Sequence, residues 1–210
     1  MSTSNLMRWS GLAVFLGAAL WAVQRLGWTL FIGSLEPWDY PQPAATVLWL
    51  LGLGVSVLIL LGLPALYARQ AEKARLLGLI SFVVIFLGMA LVTGNAYFGT
   101  FIQADLAELI SAAEGAGLTV EEPTMAAVGF LVTLGLQVLG WFLFGLISLK
   151  AGVFPRWAAI LVMVGYLPEL LGIAIGLPWQ VPLFETGLAW LGFALWREKG
   201  ELLAEPATAT

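Results

Sequence analysis

Six stretches of apolar residues follow one another along the chain, and each is long enough, or nearly so, to cross a lipid bilayer as a helix. A membrane-spanning helix needs about 20 mainly apolar residues, within a range of roughly 17–25. These stretches predict an all-α fold, with one domain over residues 1–200 formed by a polytopic bundle of six transmembrane helices. The predicted spans cover residues 9–33, 44–68, 76–98, 124–149, 157–176 and 181–196.

The composition leads to the same fold class. Of the 210 residues, 60% are hydrophobic and 10% are charged, whereas about half of a soluble domain is apolar and about a quarter is charged. A water-soluble fold of this size would lack the polar side chains that its surface needs. Soluble enzymes and disordered proteins are therefore excluded. The net charge of −4 also argues against nucleic acid as a partner, so we expect the lipid bilayer to surround the chain.

The basic residues predict the orientation of the bundle. Cytoplasmic flanks of membrane helices carry an excess of Lys and Arg. If the chain crosses six times, the connections on the other side of the membrane contain no Lys or Arg and hold acidic residues instead. We therefore predict a multi-pass protein with both termini cytoplasmic. Eight of the nine basic residues lie on one side of a six-span arrangement, namely Arg8, Arg69, Lys73, Arg75, Lys150, Arg156, Arg197 and Lys199.

Two segments are expected to lie outside the spans. The connection over residues 99–123 is predicted to be an extracytoplasmic loop that contains a short amphipathic helix over residues 104–113. Its polar face is acidic, unlike that of most lipid-binding surface helices. It is therefore interpreted as a lid over the outer end of the bundle, with a partner-binding surface as the alternative. Residues 201–210 are predicted to be a disordered cytoplasmic tail.

The residue types that the chain lacks restrict its chemistry. It contains neither Cys nor His, so the usual zinc sites, His-ligated haem and nucleophilic pairs that use His are excluded. Acid–base chemistry could fall only to Asp, Glu, Lys or Tyr, or to a carboxylate assisted by Arg. We expect no cofactor and no metal site, assign no catalytic residue, and disfavour an enzyme without excluding one.

Three ionisable residues lie inside the predicted spans: Arg25, Glu169 and Glu185. Counting 1.5 Å per residue from the aromatic residues at the cytoplasmic ends of their spans, they lie at heights of roughly 24, 18 and 17 Å. Gln137 falls at a similar height in the fourth span. All four therefore belong to the middle or outer part of a hydrocarbon core that is about 30 Å thick.

These four residues predict a buried polar cluster in the outer half of the bundle. A charge in the bilayer centre is costly, so such groups usually pair or face a cavity, and an Arg can hold a carboxylate through two parallel hydrogen bonds. The cluster would suit a proton, an ion or a small polar solute. In the alternative interpretation, Arg25 extends to the outer surface, and the helix dipole stabilises Glu185 in the first turn of its span.

Two segments carry a resemblance to known proteins. The first is Gly62-Leu63-Pro64-Ala65-Leu66-Tyr67-Ala68-Arg69-Gln70, and the second runs from Phe144-Gly145-Leu146 to Gly152-Val153-Phe154-Pro155-Arg156-Trp157-Ala158. In these segments the chain resembles uncharacterised multi-span bacterial membrane proteins that consist of domains of unknown function. The resemblance implies a location in the bacterial cytoplasmic (inner) membrane, and it carries over no site residue.

The function expected from the sequence is that of a non-enzymatic integral membrane protein. Its polar cluster would serve stability or bind a small polar solute. The alternatives are a small transporter for a proton, an ion or a solute, an intramembrane enzyme that acts on a lipid, and a subunit of a homo-oligomer or of a larger membrane complex. The sequence shows no Asp-rich metal–diphosphate motif and no nucleophile–base pair that would favour the enzyme.

Overall fold

A computed structural model describes residues 3–32, 43–118, 124–168 and 182–197. Over these ranges the protein is helical and contains no strand, which confirms the all-α prediction. The helices are α1 (Thr3–Gly27), which continues as a π-helical turn (Trp28–Ile32), α2 (Ala44–Phe101), α3 (Gln103–Gly115), α4 (Thr124–Ala151), α5 (Arg156–Val164) and α6 (Leu183–Arg197).

The 58-residue helix α2 is a hairpin, because the chain reverses at Arg75. Arg75 has φ 47° and ψ −132°, which interrupts the helical backbone. The rings of Tyr67 and Phe82 stack with their centroids 4.9 Å apart, although fifteen residues of straight helix would separate them by about 22 Å. Residues 44–74 are called the first arm and residues 76–101 the second arm.

Neighbouring helical segments run antiparallel around a closed ring. The order is α1, first arm, second arm, α4, α5, α6 and then α1 again. Where two neighbouring helices touch, the residue numbers of the contacts rise along one helix and fall along the other, which shows that the two are antiparallel. Many of these contacts occur at glycine, because a residue without a side chain lets two backbones come close together. They include Gly17 to Leu58, Gly27 to Leu48, Gly88 to Gln137, Gly140 to Ile85, Gly145 to Met163, Gly165 to Phe184, Gly187 to Val162, Gly11 to Leu195 and Gly192 to Phe15.

The alternating direction of six segments brings the start of α1 and the end of α6 to the same end of the bundle. The turns and helix ends there carry every basic residue of the described ranges except Arg25, and this end is called the basic end. Helix α3 lies at the opposite end, with Asp105, Glu108 and Glu114. The described basic residues at the basic end are Arg8, Arg69, Lys73, Arg75, Lys150, Arg156 and Arg197.

The outer surface of the bundle is apolar. Large side chains such as Leu76, Leu77 and Leu131 are more than 60% exposed. Aromatic residues such as Trp141, Phe144 and Phe184 fill the centre. Three helical stretches among the described residues are long and apolar enough to cross a membrane, namely Asn5–Leu30, Ala44–Phe101 and Val128–Ala151. The fold is therefore compatible with a membrane location.

The helix bounds differ from the predicted spans in two informative places. The fifth span was predicted to run over residues 157–176, but helix α5 ends at Val164 and the chain makes a turn at residues 165–166. The basic segment Arg69–Arg75 was expected to form the turn between two spans. Instead, the first arm remains helical to residue 74, and the chain reverses at Arg75 alone. The long basic side chains therefore project from helical turns. Parts of the predicted loop (119–123) and of the fifth span (169–176), one residue each of the first span (33) and the sixth span (181), and the whole predicted tail (201–210) lie outside the described residues.

Candidate functional site

Arg25 and Glu185 form a buried ion pair between α1 and α6. The Nε atom of Arg25 donates a hydrogen bond of 2.5 Å to Oε1 of Glu185. The side chain of Arg25 is 10% exposed and that of Glu185 is 1% exposed, so neither charge reaches the surface of the bundle. The two residues are separated by 160 positions in the sequence, and their pairing therefore depends on the tertiary fold.

The local backbone favours a charge at Glu185. This residue lies in the first turn of α6, where unsatisfied backbone N–H groups favour an anion. Arg25 lies in the last turn of the α-helical part of α1, before the helix continues as the π-helical turn. The carbonyl of Arg25 also accepts a 3.1 Å hydrogen bond from the hydroxyl of Thr29, at the start of the π-helical turn.

Glycines hold α1 and α6 close enough for this pair to form. A Cβ atom added at Gly11 would lie 2.7 Å from the Cβ of Leu195, and one added at Gly192 would lie 2.5 Å from the backbone nitrogen of Phe15. Nearer the ion pair, the rings of Trp21 and Phe184 meet edge to face at 5.6 Å. The glycine contacts therefore hold α1 and α6 together at one end of their interface, and the ion pair holds them together at the other end.

Gln137 is a buried amide with one satisfied and one unsatisfied group. Its Oε1 accepts hydrogen bonds from the indole of Trp141 (2.6 Å) and from the hydroxyl of Tyr166 (3.4 Å). Because an indole N–H can only donate, this contact assigns the oxygen and leaves Nε2 as the free donor. Nε2 is buried beside Gly88 and has no hydrogen-bond partner in the structure. An unpaired buried donor costs about 1–3 kcal/mol.

Arg25 and Gln137 both line a cavity of about 450 Å³. Its volume lies within the range of roughly 300–1,000 Å³ that is typical of small-molecule sites. The cavity is bounded by α1, the second arm, α4 and Tyr166, which follows α5. Its lining residues are Trp21, Arg25, Leu91, Val92, Asn95, Phe98, Gly129, Phe130, Thr133, Leu134, Gln137 and Tyr166.

The cavity forms where the second arm and α4 separate. Towards the basic end the two helices touch, since Cβ atoms added at Gly88 and Gly140 would meet the other helix within 3.3 Å. The cavity begins at Gln137 and extends towards the other end of the bundle, and its apolar rim is exposed. Leu91 is 43% exposed, Phe98 39% and Phe130 55%. The buried polar groups of Arg25, Gln137 and Tyr166 thus lie at the inner end of the cavity, and its mouth is mainly apolar, with Asn95 as an exposed polar side chain there.

The structure brings together three of the four predicted site residues. Arg25 contacts Glu185 directly. Gln137 lines the same cavity as Arg25, but its hydrogen bonds go to Trp141 and Tyr166 and not to Arg25 or Glu185. Glu169 lies outside the described residues. The alternative in which Arg25 extends to the outer surface is wrong, because its guanidinium group pairs inside the bundle.

Sequence analysis missed Tyr166, Asn95 and Thr133 as cavity residues. All three are single polar groups in apolar segments. The spacing of four between Thr133 and Gln137 could have suggested a shared helix face. Tyr166 had no such signal, because its position follows from how α5 packs.

Three further polar side chains, also missed, connect helices through two hydrogen bonds and do not line the cavity. The Nε2 of Gln24 donates a 2.9 Å hydrogen bond to the backbone carbonyl of Leu48. The hydroxyl of Ser148 donates a 2.9 Å hydrogen bond to Oε1 of Gln70. In an apolar surrounding, such bonds hold neighbouring helices together, each with a typical contribution of about 0.6 kcal/mol and up to 2. These residues are therefore structural contacts.

Comparison with protein-family models, with curated proteins and with solved structures gives no match to this chain. The geometry of the cavity therefore carries the functional argument alone.

Proposed function

We propose that the chain is a six-span integral membrane protein that binds a small amphipathic ligand in the outer half of the bilayer. Both termini lie on the cytoplasmic side, and the resemblance noted above favours a bacterial cytoplasmic membrane. The antiparallel ring supports an even number of crossings, because it returns the chain to the basic end. The concentration of Lys and Arg at that end supports its cytoplasmic placement.

The polarity of the cavity is the observation that carries the functional proposal. A ligand with a polar end would place it near Arg25, Gln137 and Tyr166, and its apolar body would lie against the exposed rim. Nε2 of Gln137 is a hydrogen-bond donor without a partner, on a residue that lines the inner end of the cavity. Because the rim faces outwards between two helices, the ligand would enter sideways from the lipid.

The ion pair determines the net charge at the inner end of the cavity. Arg25 and Glu185 neutralise each other, so the site presents hydrogen-bonding groups without a large net charge. A neutral or singly charged ligand with a long apolar body would therefore be preferred over a soluble polyanion. Binding requires no reactive group, and the proposed role is that of a ligand-holding or ligand-transferring protein without catalysis.

Photolabelling tests this function. The full chain is reconstituted in phosphatidylcholine vesicles with a fatty acid that carries a diazirine on its chain. After irradiation, peptide mapping by mass spectrometry locates the adducts. We expect adducts to concentrate on residues 91–98 and 129–134, at the mouth of the cavity. Adducts spread evenly over all lipid-facing segments would contradict the proposal.

Two glycines of α4 provide a matched pair of variants. Gly129 lines the cavity and Gly135 does not, and a Cβ atom at either position would meet nothing within 4 Å. Gly129→Leu should fill the mouth and lower labelling at the cavity about tenfold, equivalent to about 1.4 kcal/mol of binding free energy. Gly135→Leu should leave labelling at the parental level. Equal labelling of both variants would overturn the assignment of the site.

A second candidate function, proton or ion transport, is favoured by the burial of an ionisable pair beside a cavity. Glu185 would be the group that exchanges a proton. Flux of protons or monovalent cations into vesicles, abolished by Glu185→Gln and unaffected by Glu108→Gln, would support this alternative. Photolabelling at the cavity without flux would support the ligand-binding function.

A further inference from the structure

A second and separate pocket of about 230 Å³ lies at the basic end of the bundle. It is formed where α4 ends beside the turn between the first and second arms. Lys73 and Lys150 contribute its cationic groups. The remaining lining residues are apolar, namely Ala74, Leu77, Ile147 and Ala151.

The two lysines are held at this pocket without a neutralising partner. Nζ of Lys73 donates a 3.2 Å hydrogen bond to the backbone carbonyl of Ala151 at the last turn of α4, where a cation is favoured by the helix dipole. An ammonium group has three donors, so two remain for a ligand. Neither Lys73 nor Lys150 has an ion-pair partner among the residues that the structure describes, and Glu72, the nearest acidic residue in sequence, is exposed and does not line the pocket.

The surroundings of the pocket indicate where its ligand comes from. Leu76 and Leu77, which begin the second arm, are 67% and 64% exposed, and Leu77 also lines the pocket. Two cations above an exposed apolar helix face match a molecule with an anionic head and an acyl chain. A soluble phosphate ester would contact the lysines but would gain nothing from the leucines.

We propose that this pocket binds the phosphate headgroup of an anionic phospholipid of the inner leaflet. The lysines would contact the phosphate oxygens, and the acyl chains would lie along the exposed face of the second arm. Basic pockets between membrane helices on the cytoplasmic side commonly bind such headgroups. The leaflet follows from the topology proposed above, but the site itself is independent of the ligand in the outer cavity.

Competitive lipid retention tests the site. The full chain is purified in detergent with equal amounts of phosphatidylglycerol and phosphatidylcholine, and native mass spectrometry measures the ratio of the two lipids that stay bound. We expect the parent chain to favour phosphatidylglycerol. In Lys73→Gln with Lys150→Gln, this preference should fall roughly thirtyfold, because each of the two cations near an anionic lipid contributes a factor of about 5.4.

Three controls make the result specific. Arg8→Gln with Arg156→Gln removes the same charge from the same end outside the pocket and should keep the preference. Lys73→Arg with Lys150→Arg retains the cations and should also keep it, which separates loss of charge from loss of folding. Free sn-glycerol 1-phosphate at millimolar concentration should not displace the lipid.

Some outcomes would overturn the site. They are an equal fall in both charge-removing variants, an unchanged ratio in the lysine variant, and displacement by free glycerol phosphate. The variant Gly129→Leu should leave this lipid ratio unchanged, so failure of the outer cavity and failure of the basic pocket are distinguishable.

Discussion

Arg25 and Glu185 place two opposite charges in contact in the interior of the bundle. Each charge alone would be expensive in an apolar interior, and together they form a neutral unit that α1 and α6 hold at 2.5 Å. A buried pair of this kind contributes little net stability compared with apolar residues of similar size, whereas removal of one partner leaves an uncompensated charge. The pair should therefore behave as a single unit under mutation.

Charge reversal tests this unit. Arg25→Glu and Glu185→Arg should each lower the free energy of unfolding by about 3–5 kcal/mol, or the melting temperature in detergent by roughly 10 °C. The double variant should recover more than half of that loss. Glu108→Arg, an exposed reversal on α3, should change the melting temperature little. A double variant no better than the worse single variant would contradict direct pairing.

Arg75 carries backbone strain at the reversal of α2. Its φ of 47° lies in a region that favours glycine, and such a backbone costs about 1–3 kcal/mol in other residues. Arg75→Gly should therefore raise the melting temperature by about 2–4 °C for each kcal/mol released. Arg75→Ala removes the same charge without relieving the strain and should not raise it. A rise of equal size in both variants would assign the effect to charge.

At the level of helices, the packing of α1 against α6 depends on small residues. Gly11→Ala would place its Cβ 2.7 Å from the Cβ of Leu195, so the helices must separate, whereas Gly54→Ala in the first arm meets nothing within 4 Å. Gly11→Ala should therefore destabilise the protein by about 1–3 kcal/mol. Gly54→Ala should be neutral or stabilising by up to about 1 kcal/mol. Thermal unfolding in detergent measures both, and equal melting temperatures would contradict the close approach.

The positions of the helices and the pairing of Arg25 with Glu185 could be predicted, because both depend on numbers of residues along the chain. Apolar length indicates where helices occur, and height above the basic end suggested that Arg25 and Glu185 could meet. Lateral neighbours cannot be obtained in this way. The partnership of Gln70 with Ser148 and the contact of Tyr166 with Gln137 depend on which helices are adjacent and how they are rotated, and neither property has a periodic signal in the sequence.

The reversal of α2 shows a similar limit. Basic residues over 69–75 indicated a turn, but they do not reveal that six of the seven positions are helical. The position of the turn depends on the backbone conformation of Arg75. Residues 69–75 contain neither Gly nor Pro, so no residue type marked this position in the sequence. Charge therefore predicted which end of the bundle this segment occupies, and the position of the turn required the structure.

For the whole molecule, the alternating ring and the distribution of charge lead to one arrangement. Within the described ranges, six antiparallel segments place every basic residue except Arg25 at one end and the acidic helix α3 at the other. With the basic end placed on the cytoplasmic side, as we propose, the cavity beside Arg25 would lie in the outer leaflet and the lysine pocket in the inner leaflet. Both ligand proposals use this orientation, so it is the central claim.

Cysteine labelling can measure this orientation, because the chain has no Cys of its own. Single cysteines are introduced at Pro43 and Glu108, and separately at Glu72, Arg156 and Arg197, and intact cells are treated with a membrane-impermeant maleimide. We expect Pro43→Cys and Glu108→Cys to be labelled in intact cells, and the other three variants to be labelled only after the membrane is opened. Labelling of Glu72→Cys and Glu108→Cys from the same side would contradict this orientation.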